Sequence, residues 1–191
     1  VFAMDSGSSS SPAFTAGFPV DMAFKRHRTA TDNWRITARL IQGINHFTNT
    51  TGADDVTASQ MFDYQNGYYD DSQSSANQAW MWKRAPGYFD VVAYSGNSTA
   101  GRTVSHNLGV APEMIWVKVR NLSSGWVVLH TGNELYLNSN AAKEANTLSF
   151  NNTDPTATSF TLGSYNSVNG SGYNYIAYLF ATVAGVSKLG S

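Results

Sequence analysis

The stretch His106–Trp126, HNLGVAPEMIWVKVRNLSSGW, repeats a pattern that the chain has already used at Ala16–Trp34, AGFPVDMAFKRHRTATDNW. At a single offset of 92 residues, without a gap, like residues meet in order: Gly17 and Gly109, Asp21 and Glu113, Met22 and Met114, Phe24 and Trp116, Arg26 and Lys118, Arg28 and Arg120, Trp34 and Trp126. Self-similarity at a fixed period is the signature of a duplicated structural unit. The sequence therefore predicts two copies of one fold.

The similarity between the copies extends outward from this stretch. HFTNTTGADD resembles LYLNSNAAKE at an offset of 89, AWMWKRA resembles YIAYLFA at an offset of 96, and VFAMDSG loosely resembles VVAYSGN at an offset of 90. Insertions and deletions in loops produce such drift. We predict a first unit at residues 1–87 and a second at 88–191, with the segment from about residue 186 leading toward a further unit.

Short apolar segments separated by Gly, Asn and Pro turns fill the second copy, which predicts about eight strands. The fold class expected is all-β, with two tandem antiparallel β-sandwich units of a jelly-roll-like kind. After each repeated Trp an apolar strand follows, WRITARL and WVVLH. Because side chains alternate along a strand, Trp34 shares a face with Ile36, as Trp126 does with Val128, and we predict that face to be the core side.

One pair of equivalent strands differs between the copies. Ile115, Val117 and Val119 form an apolar face, whereas the same positions in the first copy are Ala23, Lys25 and His27. One face cannot be equally buried in both units. The first unit should therefore expose this face or pack it against a polar partner.

The composition excludes several classes of function. Charged residues make up 13% of the chain, about half the usual share, and the net charge is −1. Such a chain has no overall field for nucleic acid, and no apolar run is long enough to span a membrane. It contains no cysteine, which removes disulfides, thiol catalysis and most structural zinc sites. The beginning of the sequence does not resemble a signal peptide.

Catalytic motifs are not found in the sequence. The four histidines do not pair at spacings that place two ligands on one face, and no nucleophile elbow, Walker loop or HExxH motif occurs. Adjacent carboxylates such as Asp54–Asp55 do not supply the separation that glycoside hydrolysis needs. We therefore expect a protein that is not an enzyme, with no catalytic residues, no metal site and no cofactor.

The segment Met61–Ser75, MFDYQNGYYDDSQSS, departs from the repeat and gathers aromatic and acidic residues. Aromatic faces stack on sugar rings and carboxylates accept hydrogen bonds from hydroxyls, so the segment suggests a glycan-binding site. Its candidate residues are Tyr64, Tyr68, Tyr69, Asp70 and Asp71. The alternative is a hairpin around Asn66–Gly67 whose tyrosines alternate between core and surface.

The second copy also carries a family resemblance. Three of its segments, APGYFDVVAYSGNSTAGRTVSHNLGVAPEMIWVKVRNLSSGWVVLH, YLNSNAA and GSGYNYIAYLFATVAGVSKLGS, resemble a β-rich tandem domain of bacteriophage tail-fibre and related virion structural proteins, frequent in marine phages. The first copy resembles the more divergent partner unit, ending in MWKRAPGYFDVV. The family supplies no catalytic residues that could be transferred.

The resemblance implies a virion protein at the particle surface, part of a tail fibre involved in host attachment. Its implied partners are other virion proteins, further copies of itself (fibres of this sort are typically trimers) and host surface glycan, without nucleic acid or membrane insertion. The alternatives are a capsid decoration protein, a glycan-binding lectin-like module that uses the Tyr/Asp-rich loop, and a glycan-cleaving tailspike.

Overall fold

The computed structural model describes residues 1–57, 59–71, 74–144 and 147–189. The described chain consists of antiparallel strands and two short 3-10 turns, Arg39–Ile41 and Leu148–Phe150, which confirms the all-β prediction. It divides into two compact units, Val1–Arg84 and Ala85–Ser191. The boundary lies three residues before the one expected after Gly87.

Unit 1 contains eight strands: β1 (Phe2–Ser6), β2 (Phe14–Thr15), β3 (Met22–His27), β4 (Arg35–Ala38), β5 (His46–Phe47), β6 (Gln60–Met61), β7 (Gly67–Asp70) and β8 (Asn77–Trp82). They form a five-stranded sheet in the order β1-β8-β3-β4-β5 and a three-stranded sheet in the order β2-β7-β6.

Unit 2 contains seven strands: β9 (Phe89–Ser95), β10 (Arg102–Ser105), β11 (Met114–Val119), β12 (Val127–His130), β13 (Asn133–Tyr136), β14 (Ser159–Leu162) and β15 (Asn174–Phe180). The five-stranded sheet has the order β9-β15-β11-β12-β13, and β10 pairs with β14. When the strands of the two units are matched in turn, both units have the same strand order, and β6 of unit 1 is the one strand without a counterpart among the described strands of unit 2. Neither unit divides its strands into two equal sheets, so a jelly-roll arrangement stays a prediction.

The pairing registers test the sequence offsets. Lys25 pairs with Arg35 as Val117 pairs with Val127, and Ile36 pairs with His46 as Val128 pairs with Leu135. The offsets of 92 and 89 therefore hold residue for residue.

The other two offsets are wrong. Lys25 pairs with Ala79 and Val117 with Ala177, so the last strand is displaced by 98 residues instead of 96. Because the error is two residues, the alignment still placed side chains on the correct face. Phe2 takes the place of Phe89, an offset of 87 instead of 90. Because this error is three residues, an odd number, the alignment placed the side chains of the strand on the wrong face.

The recurring glycine and acid in the opening stretch have structural roles that both units repeat. Gly17 has φ = 76° and Gly109 has φ = 77°, a left-handed conformation that disfavours any residue with a Cβ. The Asp21 carboxylate accepts a hydrogen bond from the backbone N–H of Arg84 (2.8 Å), and that of Glu113 accepts one from Thr182 (3.0 Å). Each acid ties the start of its strand to the residue two positions after the neighbouring strand ends.

Gly17→Ala and Gly109→Ala should each destabilise the protein by about 1–2 kcal/mol, because the penalty comes from the left-handed backbone alone. No heavy atom lies within 4 Å of a Cβ built on Gly17, and the nearest to Gly109 is at 4.0 Å. Urea unfolding of the two variants measures the effect. Gly52→Ala is the control: Gly52 does not have a positive φ and its Cβ would make ordinary contact at 3.7 Å, so its change should stay within about 0.5 kcal/mol. A control that loses as much as the two variants would contradict the backbone explanation.

The core of unit 2 lies between its two sheets. Val117, Val127 and Leu129 of the large sheet pack against Phe160 and Leu162 of the small one. Trp126 and Val128, predicted to face the core, are buried, but they lie on the opposite side of the sheet from this cluster. All the residues from Trp126 to Leu129 are apolar and buried, so the period of two gave no real preference for a face.

The repeated tryptophans belong to aromatic clusters on that opposite face. Trp126 is fully buried, with its ring 6.2 Å from that of Tyr178. In unit 1, the ring of Trp34 stacks on Phe24 at 5.0 Å, and the guanidinium of Arg26 lies 4.9 Å from its centroid. The recurring Trp thus packs on the face of each large sheet that points away from the core cluster of its unit.

Candidate functional site

Tyr68, a predicted glycan-binding residue, lies in the core of unit 1. It is 0% exposed, and its ring stacks between Phe14 at 5.1 Å and Phe62 at 5.4 Å. Burial, reinforced by the charge of Asp70, raises the pKa of its hydroxyl well above the usual value. A fully buried ring cannot stack on a sugar, so this part of the predicted site is wrong.

Asp70 is also buried, and its partner is Lys25. Oδ1 of Asp70 lies 2.5 Å from Nζ of Lys25, and the two residues are 1% and 4% exposed. Burial lowers the pKa of Lys25, while the charge of Asp70 opposes that shift. The β3 face of unit 1 is therefore not exposed; its polar partner is Asp70, from the small sheet of the same unit.

Unit 2 fills the equivalent positions with apolar residues. Val117 takes the place of Lys25, and it belongs to one apolar cluster with Phe160 and Leu162 of the small sheet. Both Val117 and Leu162 are 0% exposed. The first copy thus contains a buried ion pair between its sheets, where the core of the second is apolar.

The remaining predicted residues do not complete a glycan surface. Tyr64 and Tyr69 are half-buried, and Tyr69 packs against the core. Asp71 is exposed and accepts a hydrogen bond from the backbone N–H of Ser59 (3.1 Å). Because side chains alternate along β7, neighbouring acids and tyrosines point to opposite faces. β6 and β7 pair as antiparallel strands, as the hairpin alternative predicts.

A corner beside the last strand of the large sheet is built alike in both units. Asn45 exchanges two backbone hydrogen bonds with Asp55, and Glu134 exchanges two with Glu144. Both pairs fall at the offset of 89 that also relates Phe47 to Tyr136. The same backbone corner therefore presents an amide and one acid in unit 1, and two acids in unit 2.

In unit 2 this corner opens into a small pocket of about 210 Å³, called here the Glu134 pocket. This volume is smaller than that of drug-sized ligand sites, about 300–1,000 Å³, and fits a small chemical group. The lining residues are acidic, aromatic, hydroxylic and one aliphatic: Glu134, Tyr136, Glu144, Leu148, Ser149, Tyr165 and Ser167.

The Glu134 carboxylate is buried and held in place by three donors. Oε1 accepts hydrogen bonds from the Ser149 hydroxyl (2.7 Å) and the Tyr136 hydroxyl (3.3 Å), and Oε2 accepts one from the Ser149 N–H (3.1 Å). Burial and the charge of Glu134 raise the pKa of Tyr136. Tyr136 therefore stays neutral and acts as a donor to the carboxylate.

The rim of the Glu134 pocket is open to solvent. Tyr165 is 50% exposed and Leu148 is 43% exposed, and the side chain of Glu144 is exposed as well. Aromatic and aliphatic surface thus surrounds a fixed carboxylate, with a second carboxylate at the edge. No Lys, Arg or His is among the described residues that line the pocket.

The equivalent corner of unit 1 does not present these groups. Asn45 is 0% exposed, and Phe47 lacks the hydroxyl of Tyr136. The Asp55 carboxylate accepts hydrogen bonds from the hydroxyl (2.6 Å) and N–H (3.0 Å) of Thr57, which lower its pKa. The neighbouring Asp54 lies 2.7 Å from Nε2 of the buried His46. The duplication has therefore kept the backbone and changed the chemistry.

Sequence reasoning missed the Glu134 pocket, although a signal was available. The alignment of HFTNTTGADD with LYLNSNAAKE already paired Phe47 with Tyr136 and Asp55 with Glu144. Tyr165 and Ser167 join the site from a distant loop that no local pattern connects to it. In the part of the chain that the structure describes, no group of three or more metal-ligating side chains is found. No described helix is long and apolar enough to cross a membrane.

Comparison with known proteins places the chain in a family. The model of DUF7483, a domain of unknown function, matches residues 2–191, and the chain belongs to that family. No curated protein and no solved structure matches the chain.

Proposed function

We propose that this chain is a non-enzymatic structural and adhesion module of a bacteriophage virion, part of a tail fibre, which contacts the host surface through the Glu134 pocket. The observation that carries the proposal is the difference between the two copies. Both share strand order and the repeated glycine and acid, while the side chains at the corner differ: among the described residues, the corner of unit 2 lines an acidic and aromatic pocket.

Two further arguments support this function. The repeated stretch forms turns and strands in both units. The duplication therefore supplies a second copy of one structural unit, as expected for a fibre built from repeated domains. The segments of the second copy that resemble tail-fibre domains include YLNSNAA, which begins with Tyr136 of the Glu134 pocket. By the same resemblance, the partners are other virion proteins, further copies of this chain in a homo-oligomer such as a trimer, and a host surface glycan.

The proposal of a binding function instead of catalysis rests on how Glu134 is held. Both of its oxygens already accept hydrogen bonds, so the carboxylate is a fixed acceptor whose position favours recognition. General acid catalysis would instead require a proton donor directed at the leaving group of a substrate.

Immunogold electron microscopy tests the location of the chain. Antibodies against the purified chain are expected to label the tail fibres of the phage that encodes it. Label on the head would favour capsid decoration instead, and particles without label would contradict the proposal.

Competition for the host tests the attachment role. Purified chain should slow adsorption of the phage to its host, and Glu134→Gln should lose that effect while Asp154→Asn, an exposed acid outside the Glu134 pocket, keeps it. Equal competition by both variants would remove the pocket from host contact.

A further inference from the structure

We infer that the group recognised by the Glu134 pocket is a primary ammonium, carried by an amino sugar or a lysine side chain. The inference deepens the proposed function and relies on it for the source of the ligand. The recognition chemistry follows from the pocket alone.

The first argument is uncompensated charge. Glu134 and Glu144 both line the pocket, and within the described residues neither forms an ion pair with Lys, Arg or His. Two negative charges in a partly enclosed site attract a cation more strongly than they would in water, because the local dielectric constant is lower. A neutral ligand would desolvate these carboxylates without neutralising them.

The second argument is the count of free donors. The hydroxyls of Tyr136 and Ser149 already donate to Glu134, so they are not available to a ligand as donors. Among the described lining residues, the hydroxyls of Tyr165 and Ser167 remain as possible donors, and the two carboxylates supply most of the acceptors. An ammonium group has three donors and no acceptor, whereas each sugar hydroxyl also seeks a donor.

The third argument is the aromatic surface beside the carboxylates. Tyr165 exposes half of its surface at the rim, and Tyr136 is half-buried beside Glu134. Tyrosine rings attract cations through their negative faces, and aromatic pockets recognise ammonium ligands in this way. A divalent metal ion suits the site less, because calcium takes six to eight oxygen ligands and the pocket offers two carboxylates.

The two copies supply the variants that test the inference. Glu134→Asn together with Tyr136→Phe gives unit 2 the residues that the same corner carries in unit 1, Asn45 and Phe47. The fold already accommodates that pair of residues. Glu144→Gln removes the exposed charge, and Asp154→Asn removes an equal charge elsewhere on the surface of unit 2.

The experiment is an NMR titration of the whole chain with two matched pairs of probes. Glucosamine is compared with glucose, and Nα-acetyl-lysine amide with its Nε-acetylated form. The amines should shift the backbone amides of Glu134, Glu144 and Ser149, and their neutral counterparts should not. The stronger binder of the two amines identifies the source. In the Asn/Phe double variant the affinity should fall about 30-fold or more. Glu144→Gln should weaken binding several-fold, and Asp154→Asn should leave it unchanged.

Three outcomes would overturn the inference: binding of glucose as strong as that of glucosamine, amine binding that survives in the double variant, or no shift of pocket amides with any amine. Should the double variant fail to fold, Glu144→Gln still has to weaken amine binding. These results are distinct from those for the proposed function. Amine binding without label on phage particles would leave the pocket chemistry intact and remove the attachment role.

Discussion

Replacing Lys25 with valine, the residue that unit 2 carries at the same position, should destabilise unit 1 by about 3–5 kcal/mol. The change removes the partner 2.5 Å from Oδ1 of Asp70, a residue that is 1% exposed. A buried carboxylate that loses a cation at this distance loses the main interaction that offsets its desolvation, and this loss is larger than that of an aliphatic contact. Urea unfolding measures the loss of stability, and native-state hydrogen exchange at the amides of β3 and β8 assigns that loss to unit 1.

The double variant Lys25→Val/Asp70→Leu should recover most of that stability. It gives unit 1 the apolar character that the core of unit 2 has around Val117 and Leu162, and well-packed apolar residues often replace a buried ion pair at no cost. Arg35 pairs with Lys25 in the β3–β4 register, and its charge already lowers the pKa of Lys25, so one cation remains near the site and recovery should be incomplete. If the losses of the two single variants simply added in the double variant, the ion pair would not be the cause.

Features that depend on residues close in sequence could be predicted, and features that depend on distant residues could not. Gly17 and Gly109 mark left-handed turns, and the residues after them keep a constant spacing, so strand registers could be read from one alignment. The core face of β12 could not, because a continuous apolar run carries no alternation. The first strand was displaced by three residues because its segment matched only loosely.

The prediction of a glycan site in the Tyr/Asp-rich segment failed for a similar reason, because the local sequence does not determine which face of the strand is buried. Whether Tyr68 points inward depends on the residue at which β7 begins, because a shift of the strand by one residue moves each side chain from the core face to the surface face. Lys25 and Asp70 lie 45 residues apart, and each looked exposed when considered separately. The sequence signal was present as a conflict: the apolar face of β11 was polar in β3. The polar-partner alternative was correct, and its partner was among the residues assigned to a glycan.

A second large effect is expected at Asn169, whose replacement by alanine should cost more than about 3 kcal/mol. Asn169 is 0% exposed. Its Nδ2 donates to the carbonyls of Thr99 (2.9 Å) and Gly163 (2.8 Å), and its Oδ1 accepts from the N–H of Asn97 (3.1 Å) and from Arg102 Nη1 (3.1 Å). One amide thus joins the loop after β9 to the segment after β14. Alanine would remove all four hydrogen bonds, of which the one to the Gly163 carbonyl is buried and the others part-buried, and a buried group left without its partner costs about 1–3 kcal/mol.

The matched control is Asn121→Ala, because Asn121 also starts an Asn-x-Ser sequence and bridges two backbone groups. Its side chain contacts Gly172 O (3.2 Å) and the N–H of Asn174 (2.9 Å) where water can replace it, so the loss should stay within about 1 kcal/mol. Asn169→Asp separates hydrogen bonding from size. It keeps the shape and the acceptor but directs a carboxylate oxygen at two carbonyls, so it should destabilise unit 2 at least as much as alanine. Urea unfolding of the three variants measures these losses, and a mild effect of Asn169→Asp would mean that packing, not the two donated hydrogen bonds, makes this position important.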